Sequence, residues 1–100
     1  HEIDAIARRV LAGRGFEEFP HGLGHQVGRF AHDGTALLGP AWEKYAQKPF
    51  RKLEEGMVFA VEPKKGIPDI GLVGIENTFV VTPHGGKPLT GKSRGLIEVY

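Results

Sequence analysis

The chain has 100 residues, with 13 basic and 12 acidic side chains and a net charge of +1, so it shows no electrostatic footprint for nucleic acid or an anionic membrane surface. A hydrophobic share of 40% with 25% charged residues is ordinary for a globular domain, and no apolar run approaches the roughly 20 residues that span a bilayer. The absence of cysteine excludes disulfides and thiolate metal sites and fits a reducing cytoplasm, where we expect the protein. Any metal would need His, Asp or Glu ligands, which suit Mn, Co, Fe or Zn.

The first element is predicted to be an amphipathic helix. Its apolar residues recur at helical spacing and should form a stripe that covers a core, and glycines follow it as a stop signal. The stripe and the stop consist of Ile3, Ile6, Ala7, Val10 and Leu11, then Gly13 and Gly15.

The rest of the chain predicts mainly strands. Residues 16–33 are rich in glycine, which disfavours a helix by about 1 kcal/mol per residue relative to alanine and favours an extended or bent segment. A short helical stretch is predicted around Trp42 to Tyr45, ended by Pro49. Strands are predicted at 57–61, 72–82, 87–89 and 96–100, with a hairpin turn at 83–86. The chain therefore reads as one α+β unit built mostly on antiparallel sheet.

Three histidines are candidates for chemistry. His21 and His25 are four residues apart, so an extended chain places them on the same face. His32 has an odd spacing from His25 and can join them only if the chain bends, which Gly28 allows. The helical zinc motif His-Glu-x-x-His does not apply, because no glutamate follows His21 and two glycines interrupt the required helix.

Two glutamates occupy otherwise apolar segments. Glu62 follows the run 57–61 and shares a face with Val58 and Ala60, and Glu76 shares a face with Thr78 and Val80. An ionised carboxylate in such surroundings needs a cation or a donor network, and a shared divalent ion would satisfy both carboxylates and an imidazole. From spacing alone, packed or surface histidines and solvent-facing or salt-bridged glutamates remain alternatives.

The local sequences resemble the "pita-bread" metallopeptidases, a family that includes methionine aminopeptidase, aminopeptidase P and prolidase. The matching segments are His-Gly-Leu-Gly-His-Gln-Val-Gly at 21–28, Ala-His-Asp at 31–33, Gly-Met-Val-Phe-Ala-Val-Glu-Pro at 56–63, Gly-Ile-Glu-Asn-Thr-Phe-Val-Val-Thr at 74–82, and the entry helix 4–15. The resemblance implies that residues 1–100 are the C-terminal part of one catalytic domain. The start at His1 is interpreted as a cut end with the N-terminal half absent.

The resemblance also implies residue roles around two divalent metal ions (Mn, Co, Fe or Zn). His25 would be a terminal ligand, Glu62 a second ligand that also accepts a proton from water, and Glu76 a bridging ligand. His32 would donate to the peptide carbonyl or oxyanion, and His21 would line the site. An upstream histidine such as His21 is similar to the Xaa-Pro branch, and methionine aminopeptidase is the alternative.

The chain departs from the family pattern in three respects. No segment matches the family's paired aspartate ligands, so the isolated chain is expected to be inactive, and Asn77 stands where Asp is usual. The stretch 34–53 is longer than in compact members and would form a pocket rim or an oligomer contact.

The expected substrate is a short peptide, with a homodimer in the full-length protein and no nucleic-acid or membrane partner. A non-catalytic peptide- or protein-binding member, or a hydrolase of a non-peptide C–N bond like creatinase, remains an alternative.

Overall fold

The first element of the fold is helix α1, Glu2–Ala12, which confirms the predicted helix. The structure is a computed structural model that describes residues 1–91, 95–96 and 99–100. The chain reverses at Gly15, whose φ of 77° lies in the left-handed region that glycine adopts without strain. Phe16 then donates its N–H back to Leu11 O at 3.1 Å, which fixes the exit from the helix.

The face that α1 buries includes part of the predicted stripe. Ala7 and Leu11 pack against the core, but Ile3, Ile6 and Val10 remain 43%, 57% and 52% exposed. Asp4 also faces inward, at 1% exposure. Within this chain, Ala7 and Leu11 of the predicted stripe cover the core, and the buried Asp4 lies on the same side of the helix.

Asp4 and Arg8 form the polar centre of the contact between α1 and residues 16–23, which contain His21 and are called the histidine segment below. Arg8 Nε donates to Asp4 Oδ2 at 2.7 Å, and Leu23 N–H donates to Asp4 Oδ1 at 3.0 Å. The guanidinium also donates to the carbonyl oxygens of Phe19 and His21 and stacks 4.1 Å from the Phe19 ring centroid. The helix is thus joined to the irregular segment that leads into the first strand.

Two antiparallel sheets form the body of the fold in the described part of the chain. The strands are β1 Gly24–Val27, β2 Leu37–Leu38, β3 Val58–Val61, β4 Lys64–Ile67, β5 Gly71–Gly74, β6 Asn77–Thr82 and β7 Gly85–Pro88. The larger sheet has the order β2-β1-β3-β6-β7, and β4 and β5 pair in a separate two-stranded sheet. Two short 3₁₀ turns, Glu43–Tyr45 and Lys48–Phe50, follow β2.

The core lies on one face of the five-stranded sheet. Its buried cluster is Phe19, Leu23, Ala36, Leu38 and Phe59. Because side chains alternate along β3, the face that carries Phe59 and Val61 packs on the core and the face that carries Ala60 points to the other side. This second face is the one on which the candidate residues lie.

The α+β prediction with a mostly antiparallel sheet is confirmed, with local differences. The turn predicted at 83–86 is shorter, because the strand predicted at 87–89 begins at Gly85. The single strand predicted at 72–82 is two strands in different sheets, interrupted at Ile75 and Glu76. Pro49 does not end a helix but lies inside the second 3₁₀ turn. The predicted strand 96–100 includes residues 97 and 98, which lie outside the described residues.

The interruption forms a kink in one long hairpin. Val61 pairs with Asn77 before it and Lys64 pairs with Gly74 after it, so the register is continuous and Glu62 lies opposite Glu76. Pro63 has no N–H to donate to a ladder, which explains why regular pairing stops there. A single bond from Ile75 N–H to Pro63 O, at 3.4 Å, spans the break.

Replacing Arg8 with Met should destabilise the protein by about 3–5 kcal/mol, because Asp4 would remain buried without its cationic partner. Arg9→Met, on the exposed side of the same helix, is the matched control and should change stability by about 0.5 kcal/mol or less. Urea denaturation of the two variants provides the comparison. Equal midpoints would show that the Asp4–Arg8 pair does not hold the helix in place.

Candidate functional site

His25 and Glu62 form the centre of the candidate site. His25 pairs with Ala60 in the β1–β3 ladder, and Glu62 is two residues beyond Ala60 and on the same face. His25 Nε2 lies 3.3 Å from Glu62 Oε1, with side-chain exposures of 15% and 20%. The small Ala60 side chain between them leaves the two polar groups free to meet across the strands.

Glu62 is surrounded by positive or potentially positive groups. Lys64 Nζ lies 2.9 Å from Glu62 Oε2. Burial raises the pKa of the Glu62 carboxyl, but the hydrogen bond and charge of Lys64, with smaller contributions from His25 and His21, outweigh burial and leave that pKa below its ordinary value. The Glu62 side chain is therefore held as a carboxylate near neutral pH.

His32 reaches His25 through the bend that the sequence predicts. The two imidazole rings stack with centroids 4.0 Å apart, and His32 is exposed on its outer side. The chain turns back because Asp33 N–H donates to Gln26 O at 3.0 Å, while Asp33 Oδ2 accepts from Arg29 N–H at 2.9 Å. A Cβ on Gly28 would overlap the Asp33 carboxylate, so a larger residue there would have to displace the side chain that accepts the Arg29 N–H.

His21 lies at the edge of the pair and does not contact it directly. Its ring is half-buried and tilted against Phe19, with centroids 5.0 Å apart, and Nδ1 lies 2.7 Å from Gly22 O. Its charge nevertheless contributes to lowering the pKa of Glu62, so it is close enough to act on the site electrostatically.

Glu76 lies opposite Glu62 in register but its side chain is exposed and forms no hydrogen bond or ion pair with the described part of the chain. Among residues 1–91, 95–96 and 99–100, no three His, Asp or Glu side chains converge in a way that could hold a metal ion. The structure therefore brings His25, Glu62 and His32 together, with Glu76 adjacent through the backbone alone. The ligand set of His25, Glu62 and Glu76 stays a prediction.

The donors of the central pair fit a metal ion. Two ligands on a tetrahedral ion with bonds of about 2.0–2.2 Å are separated by about 3.3–3.6 Å. The 3.3 Å between His25 Nε2 and Glu62 Oε1 is compatible with that separation, and nitrogen and carboxylate oxygen suit Mn, Co, Fe or Zn. His25 Nδ1, which faces Gln26 O at 3.3 Å, has the kind of backbone partner that orients a ligating imidazole.

Three residues that build the site were not predicted. No role was expected for Arg8 or Lys64, and Tyr45 lies in the stretch 34–53 that was expected to form a pocket rim or an oligomer contact. Tyr45 Oη accepts the Gly22 N–H at 2.9 Å, so the first 3₁₀ turn braces the histidine segment. Only Lys64 could have been identified from the sequence, because it lies two residues after Glu62 and therefore on the same face of an extended chain.

Comparison with known proteins assigns the family. The profile of metallopeptidase family M24 matches residues 1–83, and the chain belongs to this family. It is 42% identical to an Xaa-Pro dipeptidase of Pyrococcus horikoshii over 97 residues, covering 96% of this chain and 25% of that protein. It is 36% identical to an Xaa-Pro dipeptidase of Lactobacillus delbrueckii subsp. lactis, covering 95% of this chain and 24% of that protein.

Solved structures agree with this assignment. The Pyrococcus horikoshii prolidase superposes with a TM-score of 0.75 at 40% identity, covering 96% of this chain and 26% of that one. Dipeptidase PepE of Mycobacterium ulcerans gives 0.77 at 31% identity, with coverages of 96% and 24%. The chain thus spans about a quarter of the length of the relatives it matches, and its fold is part of the pita-bread fold, as predicted. Within the described residues, no helix is long and apolar enough to cross a membrane.

Because β1 lies close to β3, we expect that any side chain larger than that of glycine at position 24 destabilises the protein. A Cβ there would collide with the backbone carbonyl of Ala60, which cannot move without shifting His25 relative to Glu62. Gly24→Ala should therefore cost about 2–3 kcal/mol. Gly66→Ala, also in a strand but with nothing within 4 Å of the new Cβ, should be neutral or slightly stabilising in thermal unfolding. A neutral Gly24→Ala would contradict this strand spacing.

Proposed function

We propose that this chain forms part of the active site of a metal-dependent exopeptidase that removes the N-terminal residue from short peptides, with Xaa-Pro peptides as its substrates. The observation that carries the proposal is the His25–Glu62 pair on a face where Glu76 lies opposite Glu62. Membership in a metallopeptidase family supports the reaction class. The dipeptidase and prolidase names of the relatives support the substrate.

His25, Glu62 and Glu76 are the proposed ligands of two divalent ions, with Glu76 bridging and further aspartate ligands supplied from outside this chain. When bound, such ions acidify a water molecule and polarise the peptide carbonyl. Glu62 is also proposed to accept the proton of that water. A rotation of the Glu76 side chain about its own torsions would bring it toward Glu62, because its backbone is already opposite.

His32 and His21 are proposed to act on the substrate side. The His32 ring covers one face of His25 and is open to solvent on the other, so its ring nitrogens can donate to a peptide carbonyl or to the tetrahedral oxyanion. His21, at the edge of the same site, is proposed to line the pocket for the residue before the scissile bond. The proposed homodimer of the full-length protein can be tested by its mass in solution.

Glu76→Gln in the full-length protein should abolish loading of two metals per active site, because an amide lacks the charge that a bridging position requires. Elemental analysis after gentle purification measures this directly. Glu55→Gln, an exposed glutamate before β3, is the control and should retain the metal content of the parent. Two metals per site in Glu76→Gln would remove the bridging role, and a metal-free parent would favour a non-catalytic peptide-binding member.

His32→Ala should lower kcat on an Xaa-Pro dipeptide by roughly 100- to 1,000-fold, as expected for the loss of one oxyanion donor. Because His32 is not a proposed ligand, metal content should not change. His84→Ala, in the exposed β6–β7 turn, should leave both kcat and metal content intact. A loss of metal in His32→Ala would reassign this histidine to the ligand set.

A further inference from the structure

The carboxylate of Glu62 is engaged at both oxygens. His25 Nε2 faces Oε1 at 3.3 Å, and the Lys64 ammonium contacts Oε2 at 2.9 Å. Only the first of these groups belongs to the proposed ligand set. The Lys64 ammonium therefore contacts the same carboxylate that is proposed to bind a metal.

The contact from Lys64 is supported by the fold. Lys64 is the first residue of β4, directly opposite Gly74 in β5. A Cβ on Gly74 would lie 2.9 Å from Lys64 Cγ, so the glycine provides the space in which the lysine stem lies. The Lys64 side chain is 39% exposed, less than a freely solvated lysine, and it reaches back along the strand toward Glu62.

A divalent ion and this ammonium would compete for one carboxylate. An ion held between His25 Nε2 and Glu62 Oε1 would lie within a few ångströms of Lys64 Nζ, where two positive charges repel strongly in the partly buried environment of Glu62. The ammonium also keeps Oε2 occupied, so Glu62 can offer the ion one oxygen and not two.

We propose that Lys64 is a positioning residue that holds Glu62 by Oε2, competes with the divalent metal ion for this carboxylate and weakens metal binding at His25 and Glu62. This inference rests on the proposed function, in which His25 and Glu62 are metal ligands. Its consequence is that a higher concentration of free metal ion is needed to fill the site, because Lys64 remains paired with the carboxylate when metal is scarce.

The test is the affinity of the full-length protein for Mn²⁺ alone, measured by titration calorimetry. Lys64→Met removes the charge but keeps the length of the stem, and should tighten Mn²⁺ binding roughly tenfold at low salt. Lys64→Arg retains a cation and should bind as the parent does. Lys65→Met is the matched control, because Lys65 lies over the Phe16 ring and not on Glu62, and it should have no effect.

Two further measurements isolate the electrostatic cause. The difference between parent and Lys64→Met should shrink in high salt, because screening weakens the repulsion. Gly74→Ala displaces the Lys64 stem without changing any charge and should also tighten Mn²⁺ binding. Both effects would be absent if Lys64 only stabilised the hairpin.

The outcomes separate this inference from the proposed function. If His25→Ala leaves Mn²⁺ affinity unchanged, the metal does not bind at this pair and both proposals fail. If His25→Ala weakens binding while Lys64→Met binds Mn²⁺ as weakly as the parent, or more weakly, the competition alone is overturned. Tighter binding in Lys64→Met together with weaker binding in His25→Ala supports both.

Discussion

The buried ion pair between Asp4 and Arg8 holds the histidine segment in place. The segment between α1 and β1 has no regular secondary structure, so its backbone groups need partners from elsewhere. Asp4 accepts the N–H of Leu23, and Arg8 donates to the carbonyls of Phe19 and His21. Two side chains one helical turn apart therefore fix the backbone that delivers His21 and His25 to the sheet.

The same ion pair helps to set which side of α1 faces the sheet. A buried ion pair contributes little net stability compared with an apolar contact, but breaking it is costly, so it acts as a constraint on position. Asp4 lies on the same side of the helix as Ala7 and Leu11, which pack against the core. Ile3, Ile6 and Val10 lie on the side that this chain, about a quarter of its relatives' length, leaves uncovered.

The sequence predicted the features that local chemistry determines. The extent of α1, the β6–β7 turn and the bend at Gly28 all follow from periodicity and glycine placement, and the structure confirms them. The inward position of Asp4 could not be predicted from periodicity, because it depends on the N–H of Leu23, which is distant along the chain. The split of 72–82 could not be read from that segment alone, because its cause, Pro63, lies on the partner strand.

The kinked hairpin places Glu62 and Glu76 opposite each other, but in the described part of the chain only the Glu62 side chain has ion-pair partners. Directly opposite residues have Cβ atoms about 4.5–5.5 Å apart, so two carboxylates at such positions repel each other. Lys64 and His25 offset the charge of Glu62, whereas Glu76 keeps its hydration at the exposed surface. Because the register already sets Glu76 opposite Glu62, bringing both carboxylates onto one ion requires a change of side-chain torsions and no movement of the strands. The backbone thus sets the two proposed ligands Glu62 and Glu76 opposite each other, and under our proposal the competition between Lys64 and a divalent cation for Glu62 would determine how readily the site is occupied.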